Sequence, residues 1–374
     1  MLPTLASFMV GAISRLIVGM TVRMPKWFVR WVSRRYVAGS SLDDAVKVMK
    51  RLEKEGACFT VDVLGEEISM EDLGGARVQA EITGNAHFYA ESEDECFRQI
   101  NKLVSFIPWN NRKKATTFAI REPRAEYNIQ SLIPDDPKKP YDIRNVIRAI
   151  ADDSDFLEIQ ELWAANIVIG FIRLNGESVG VVGNQPMVLA GVLDVDSSDK
   201  AARFIRFCDS FNIPLVTFVD LPGYLPGVDQ EHAGVIRHGA KLLYAYSEAT
   251  VPKITMILRK AYGGGYIAMC SKHLGADFVF ALPTAEIAVM GPEGAANIIF
   301  RKEISEAKDP DAMRAEKVKE YTEKFANPYK AASAGYIDSV ITLDEIRNQL
   351  IHSLYISQEK IDWTPEKKHG IPPF

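Results

Sequence analysis

Cysteine and histidine are scarce in this chain. Four cysteines, Cys58, Cys96, Cys208 and Cys270, are scattered over 374 residues without paired spacing. That excludes a disulfide framework and a zinc-ligand set, and it points to a reducing compartment. The six histidines show no metal-ligand spacing either. An excess of positive charge is also missing. Forty-four Lys and Arg against 49 Asp and Glu give a net charge of −5, which argues against general nucleic-acid binding. No clean membrane-spanning run stands out. Residues 1–22 are apolar but carry Arg15 in the middle and are followed by Arg23 and Lys26. A spanning helix needs about 20 apolar residues with few or no charges. No small-residue cleavage site follows, so the stretch is expected to be an amphipathic helix and not a signal peptide. A cytoplasmic protein is expected, with no metal. No repeat of solenoid period occurs. What remains is ordinary globular material, 47% hydrophobic and 25% charged, in a length that suits two or three domains.

Against that background one tract stands out, Lys-Ala-Tyr-Gly-Gly-Gly at 260–265, followed by Tyr-Ile-Ala-Met. Residues 251–258 read as a buried strand, and 266–272 as the first turns of a helix. A strand that passes through glycines into a helix presents backbone N–H groups without intrahelical partners, a fitting place for a negative oxygen. Glycine also lets a ligand approach the backbone. The tract lacks the Gly-Lys-Ser/Thr ending of a P-loop and the spacing of the dinucleotide fingerprint. Taken alone, it reads equally well as a tight turn without a ligand.

Residues 1–66 are helical in pattern. Ser40, Ser41, Asp43 and Asp44 mark a helix start, Ala45, Val46, Val48, Met49 and Leu52 its apolar face, and Gly56 its end; 59–64 alternate as a strand. The acidic run 91–95 leads into a helix through Leu103 and Phe106, and Pro108 stops it. Residues 112–140, with four prolines, read as a linker. A helix is expected over 141–150. From Phe156 strands and helices alternate: strands at 167–174, 179–182, 214–220, 251–258, 277–282, 287–290 and 336–341, and helices at 194–208, 232–247, 303–325 and 343–357. Such alternation predicts an α/β domain, whose ligands sit beyond the strand C-terminal ends. Asp220-Leu-Pro-Gly-Tyr-Leu-Pro-Gly lies at one such end, the glycine tract at the next, and Gly291-Pro-Glu-Gly forms a third small-residue loop.

Two resemblances carry the reading further. Arg34-Arg35-Tyr36-Val37-Ala38-Gly39, Ala45, Leu52, Gly56 and 60–66 resemble the N-terminal segment of bacterial proline dehydrogenases. The later motifs of that family's flavin-binding barrel do not follow, so no flavin is expected and the segment carries a structural reading only. From about Glu71 onward the chain resembles the biotin-dependent acyl-CoA carboxyltransferases of propionyl-CoA carboxylase β and methylmalonyl-CoA carboxyltransferase or decarboxylase α type. The matching segments, in that family's order, are 183–186, 218–227, Gln230-Glu231, 236–241, 259–267 and 289–297. This divides the chain into 1–66, a helical segment; 67–125, a remnant of the carboxyltransferase N-domain; and 126–374, the C-domain, expected to have the crotonase-like (ClpP/crotonase) α/β fold.

The resemblance implies the chemistry. Carboxybiotin on a carrier protein releases carbon dioxide at the C-domain. Backbone N–H groups at Gly264 and Gly265, the latter often Ala in relatives, hold the enolate-like oxygen. The freed nitrogen takes the α-proton of an acyl-CoA, so no side-chain base is required. Oxyanion donors of this kind are worth a few kcal/mol. Tyr262, Gly263, Pro222, Gly223, Gly291 and Gly294 come from the same matched loops. Ile267 falls where the family sorts acyl chains, and a methylene of discrimination is worth about 1–3 kcal/mol. Asn184, Gln185, Asp220, His238 and Glu293 are candidates for shaping the biotin pocket, each with a loop-satisfying hydrogen bond as the competing role. His87 is expected to be structural. The partners implied are acyl-CoA, a biotin carboxyl carrier protein, biotin carboxylase or decarboxylase subunits, and copies of the chain itself, as dimers or a hexamer. Carboxylase, transcarboxylase and sodium-pumping decarboxylase stay open. Because only the last stretch of the N-domain matches, impaired transfer is expected, and a non-catalytic carrier-binding or assembly subunit is the alternative. A hydratase or isomerase would need an acid/base carboxylate near the glycines, for which Glu293 is the one candidate.

Overall fold

A computed structural model describes residues 69–362 and 370–373. The helices expected near 1–22 and 40–56 and the strand at 59–64 lie outside the described residues. Contacts divide the chain into Met1–Glu67 and Ile68–Phe374, and the described residues all belong to the second unit. None of its described helices is long and apolar enough to cross a membrane.

The unit is organised on one eight-stranded sheet. The strands are β1 (Phe156–Ile159), β2 (Ile167–Leu174), β3 (Glu177–Asn184), β4 (Leu215–Leu221), β5 (Lys253–Tyr262), β6 (Phe278–Ala281), β7 (Glu286–Ala288) and β8 (Ser339–Val340). Their order is β1-β2-β3-β4-β5-β6-β8, with β7 beside the end of β5. β1 to β3 pair antiparallel through short turns, and every later pairing is parallel. Parallel neighbours need crossovers, and helices supply them. The first helices are α1 (Met70–Gly74), α2 (Ala76–Glu81), α3 (Glu93–Phe106) and α4 (Ile143–Ile150). Then come α5 (Val195–Ser210), α6 (Val228–Ala233), α7 (Val235–Glu248) and α8 (Gly263–Ala268). The last are α9 (Pro292–Ile299), α10 (Arg301–Glu306), α11 (Pro310–Lys324), α12 (Pro328–Ser333) and α13 (Ile346–Ile356).

Period-2 alternation along β4 feeds two cores. Leu215, Val219 and Leu221 face α5 and α7, while Val216 and Phe218 face α4 and α13. Asp220 therefore falls on the α4 side. There the ladder slips: Val219 pairs with Ile257 and Leu221 with Ala261, so Asp220 stands opposite Leu258, Arg259 and Lys260. This irregularity seats the buried Arg259 guanidinium 2.8 Å from the buried Asp220 carboxylate. A second buried cation, Lys200 on α5, donates to the carbonyls of Gln160, Trp163, Ala164 and Ile167 at 2.7–3.3 Å and closes the β1–β2 turn. Burial pushes its ammonium down to about 7, and the four carbonyls oppose that shift by favouring the charged form.

Several expectations change. The strand expected at 251–258 runs on to Tyr262, because β7 pairs with residues 260–262 and gives them a ladder. The helix expected from Tyr266 to Lys272 begins at Gly263 and ends at Ala268, where Cys270 turns to φ +59. The helices expected at 232–247 and 303–325 are each split: by Gly234 at φ +86, and by the Asp309 cap with Pro310 at the first helical position. The strand expected at 336–341 is only two residues long.

Candidate functional site

Three neighbouring glycines meet three different surroundings. Gly263 has φ +57, a conformation that favours glycine, and a Cβ there would lie 2.8 Å from the Val289 carbonyl oxygen. At Gly264 a Cβ would meet nothing within 4 Å. At Gly265 it would point inward, 2.7 Å from Leu221 Cδ1 and 3.0 Å from Gly223 Cα. The tract is thus wedged between the loop after β4 and the β7–α9 loop, with Gly264 as its open face. All three residues belong to the first turn of α8, whose leading N–H groups have no partner inside the helix.

Gly263, Gly264 and Ile267 line a cavity of about 650 Å3. Ala288 and Val289 after β7 form one wall. Tyr321 and Phe325 of α11 and Tyr336 form another, and Lys330 and His273 supply its basic groups. Its lining contains no Asp or Glu among the described residues. Tyr266 also lines it. Burial pushes the Tyr266 phenol up to about 12, so it is a neutral hydroxyl at any working pH. The cavity is a largely apolar hollow, open towards the exposed Val289, with bare backbone at one wall and, among the described residues, no carboxylate to remove a proton. Such a site can hold an oxygen on its backbone.

The other candidates are placed around this cavity or away from it. Tyr262, buried, donates its hydroxyl to Glu286, and burial followed by that carboxylate pushes its pKa far above the ordinary phenol value. Its ring packs under Gly291, where a Cβ would come within 3.0 Å of it. Tyr262 and Gly291 thus fix the angle between β5 and the β7–α9 loop. Pro222 and Gly223 form the loop beneath Gly265; the Gly223 carbonyl accepts from Leu193 N at 3.1 Å. Gly294 lies in the first turns of α9 with open space about it.

Asn184, Gln185 and Asp220 are buried and use their polar atoms internally. Asn184 Nδ2 donates to the Gly191 carbonyl at 3.1 Å, and its Oδ1 accepts from Asp220 N at 3.3 Å. Gln185 Nε2 donates to Asp142 at 2.6 Å. Asp220 accepts from Arg259 and from Lys260 N. Arg259 in turn donates to the carbonyls of Asp136 and Lys139 at 2.9 and 2.8 Å. This network joins the ends of β3, β4 and β5 to the 134–139 loop, and it holds the strand from which Gly263 emerges. His238 on α7 shares Asp199 with Lys241, each at 2.9 Å. Glu293 is two-thirds exposed and pairs with Lys138 at 2.9 Å. That hydrogen bond and the Lys138 charge hold its carboxyl below the usual range. None of these five residues lines the cavity.

The wall formed by Tyr321, Phe325, Lys330 and Tyr336 was not singled out in the sequence. Tyr321 and Phe325 sit in a stretch read as a charged helix, Tyr336 in one read as a strand, and Lys330 in a helix the sequence did not suggest. Only the path of α11 and α12 back over α8 brings them to the glycines. A Tyr-Phe pair at i, i+4 in an otherwise charged helix was the available signal.

Comparison with known proteins agrees with this geometry. Residues 44–372 match the family model of the carboxyl transferase domain; the match begins inside the segment that resembles proline dehydrogenases. The chain is 53% identical over 316 residues to the propionyl-CoA carboxylase carboxyltransferase subunit of Haloferax mediterranei, covering 83% of this chain and 61% of that protein. It is 54% identical over 311 residues to the methylmalonyl-CoA carboxyltransferase 12S subunit of Propionibacterium freudenreichii subsp. shermanii, covering 82% and 59%. The crystal structure of a transcarboxylase 12S hexamer with methylmalonyl-coenzyme A bound superposes with a TM-score of 0.79 at 54% identity, over 83% of this chain and 60% of that one. The chain thus spans about three-fifths of the length of these relatives. The fold is that of the crotonase-like carboxyltransferases, and the chain belongs to the carboxyl transferase family.

Proposed function

We propose that this chain forms the biotin-facing side of an acyl-CoA carboxyltransferase and takes part in carboxyl transfer between carboxybiotin on a carrier protein and a short-chain acyl-CoA, propionyl-CoA or methylmalonyl-CoA. The observation that carries this reading is the open Gly264 backbone on the wall of a cavity whose described lining holds no carboxylate. The family membership names the chemistry such a wall serves. The cavity fits a compact bicyclic ring: its volume lies in the range of small-molecule sites, and of the two glycines that line it Gly264 leaves room against the backbone. When bound, carboxybiotin supplies the carboxyl group and the nitrogen base.

Each residue then has a physical task. The N–H groups of the Gly263–Gly265 turn are aimed where an oxygen gains charge, in surroundings that magnify the interaction. Ile267, Ala288 and Val289 give the wall beside the turn its apolar character. Tyr262, Gly291, Asp220 and Arg259 hold the turn in place without touching the reactants. Ile267 sets the space left for an acyl chain. Partners on this reading are a biotin carboxyl carrier protein, a biotin carboxylase or decarboxylase subunit, and further copies of the chain in dimers or a hexamer.

The test mixes the purified chain with a carboxylated carrier domain and propionyl-CoA and follows methylmalonyl-CoA. Transfer that Gly265→Val abolishes supports the reading. No transfer from a folded chain overturns it and leaves the carrier-binding or assembly role, which dimerisation with a full-length relative would then support.

A further inference from the structure

A second cavity, of about 330 Å3, lies away from the glycine turn, between α3, β1, β2 and α5. Its walls are Phe88, Leu103, Ile169 and a cluster of three rings, Phe171, Phe204 and Phe207. Phe204 and Phe207 pack on Phe171 with centroids at 5.1 and 6.2 Å. Interiors are close-packed, so an apolar space of this size beside ordered rings is suited to a guest.

The mouth of this cavity is not apolar. It holds Arg203, on the exposed side of α5, and the half-buried His87. Among the described residues neither side chain has a hydrogen-bond or ion-pair partner. Among the described residues no Asp or Glu lines the cavity. Arg203 and Gln160 also line an adjoining hollow of about 430 Å3, so the guanidinium stands where the two spaces meet. Gln160 is committed elsewhere: its amide donates to the Gly84 carbonyl, and its N–H donates to the His87 carbonyl. Those bonds fix the backbone of His87, which lines the cavity. The nearest acids line the adjoining hollows, and two of them are already paired, Asp199 with His238 and Lys241 and Glu158 with Arg144. An apolar slot that ends in a guanidinium and an imidazole selects an apolar body with an anionic end.

We propose that this cavity binds a small amphipathic monocarboxylate. The carboxylate pairs with Arg203 and accepts from His87, and the hydrocarbon chain lies among Phe88, Phe171, Phe204 and Phe207. This site is separate from the glycine turn and does not depend on the function proposed for it.

The test is isothermal titration of the full chain with butanoate, hexanoate and octanoate. Affinity should rise by up to about fourfold per added CH2 until the slot is full. Hexanol, which lacks the charge, should bind at least about tenfold more weakly than hexanoate. Arg203→Gln, on the exposed side of its helix, should reduce hexanoate affinity about tenfold and leave hexanol unchanged. Failure of hexanoate to saturate at millimolar concentration overturns the proposal. So does hexanol binding as tightly as hexanoate. Full affinity in Arg203→Gln, or an equal loss in Lys330→Gln, places the probe elsewhere and overturns it too.

Discussion

Single alanines at the three glycines of the turn should have three different effects on stability. Gly263→Ala puts a Cβ on a residue at φ +57 and 2.8 Å from the Val289 carbonyl oxygen. The left-handed conformation costs about 1–2 kcal/mol for a residue with a Cβ. The backbone contact adds about 1–3 kcal/mol of overpacking. Gly265→Ala meets a movable methyl at 2.7 Å but also the Gly223 backbone at 3.0 Å. Leu221 can rotate and the loop must give slightly, so about 1 kcal/mol is lost, at the low end of overpacking. Gly264→Ala meets nothing and replaces glycine inside a helix, which is worth up to about 1 kcal/mol in favour of the variant. Gly264→Ala should therefore exceed Gly263→Ala in stability by about 2–6 kcal/mol, with Gly265→Ala between them. Urea unfolding at fixed pH measures this as shifts of midpoint at constant slope. Equal midpoints for Gly263→Ala and Gly264→Ala would refute the account of how the turn is held.

Other consequences arise from the groups around it. Asp220→Asn leaves the Arg259 guanidinium charged and unpaired in the interior, which should cost about 3–5 kcal/mol, and Arg259→Met in the same chain should recover part of the loss in urea unfolding. Lys200 keeps its proton in the folded chain only below about pH 7, against an ordinary value of 10.5 when unfolded. Between those values the unfolded chain binds more protons, so stability should rise with pH across this window, and Lys200→Met should flatten that rise in unfolding curves taken from about pH 6 to 10. Glu293 is exposed, ionised and paired with Lys138, so Glu293→Gln should leave both turnover and its pH profile unchanged; a lost limb in that profile would assign it acid–base work.

Much of this arrangement was legible in the chain because it depends on local pattern. The strands β2, β4 and β5 are dominated by apolar residues on both faces, with few polar interruptions such as Thr217 and Thr255, as buried strands tend to be, and small-residue loops follow β4 and β5. The tract Gly263–Gly265 stood out as bare backbone at a strand-to-helix turn, with Gly264 and Gly265 as the expected donors; the fold puts a cavity beside Gly263 and Gly264, while Gly265 packs against Leu221 and Gly223 and does not line it. The extension of β5 to Tyr262 was not legible, since β7 supplies its ladder from 24 or more residues away. The register slip that turns Arg259 towards Asp220 is likewise a property of two strands and not of one. Residues such as Asn184, Gln185 and His238 carry chemistry by type, yet their nearest partners, Gly191, Asp142 and Asp199, absorb them. The Tyr321–Tyr336 wall is the converse: ordinary residues in unremarkable segments, made into a site by the way two helices return.

The measurement that bears most directly on the central claim is decarboxylation of methylmalonyl-CoA by the purified chain in the presence of free biotin, beside the Gly265→Val variant. Valine at 265 keeps its backbone N–H, but its side chain meets Leu221 and the Gly223 backbone and so displaces the turn that presents the donors. Losing the alignment of one oxyanion donor costs up to about 10²–10³ in rate, so the account predicts activity in the parent chain and a clear fall in a folded variant. A parent chain that is active and a folded variant that matches it would contradict the role given to the glycine turn.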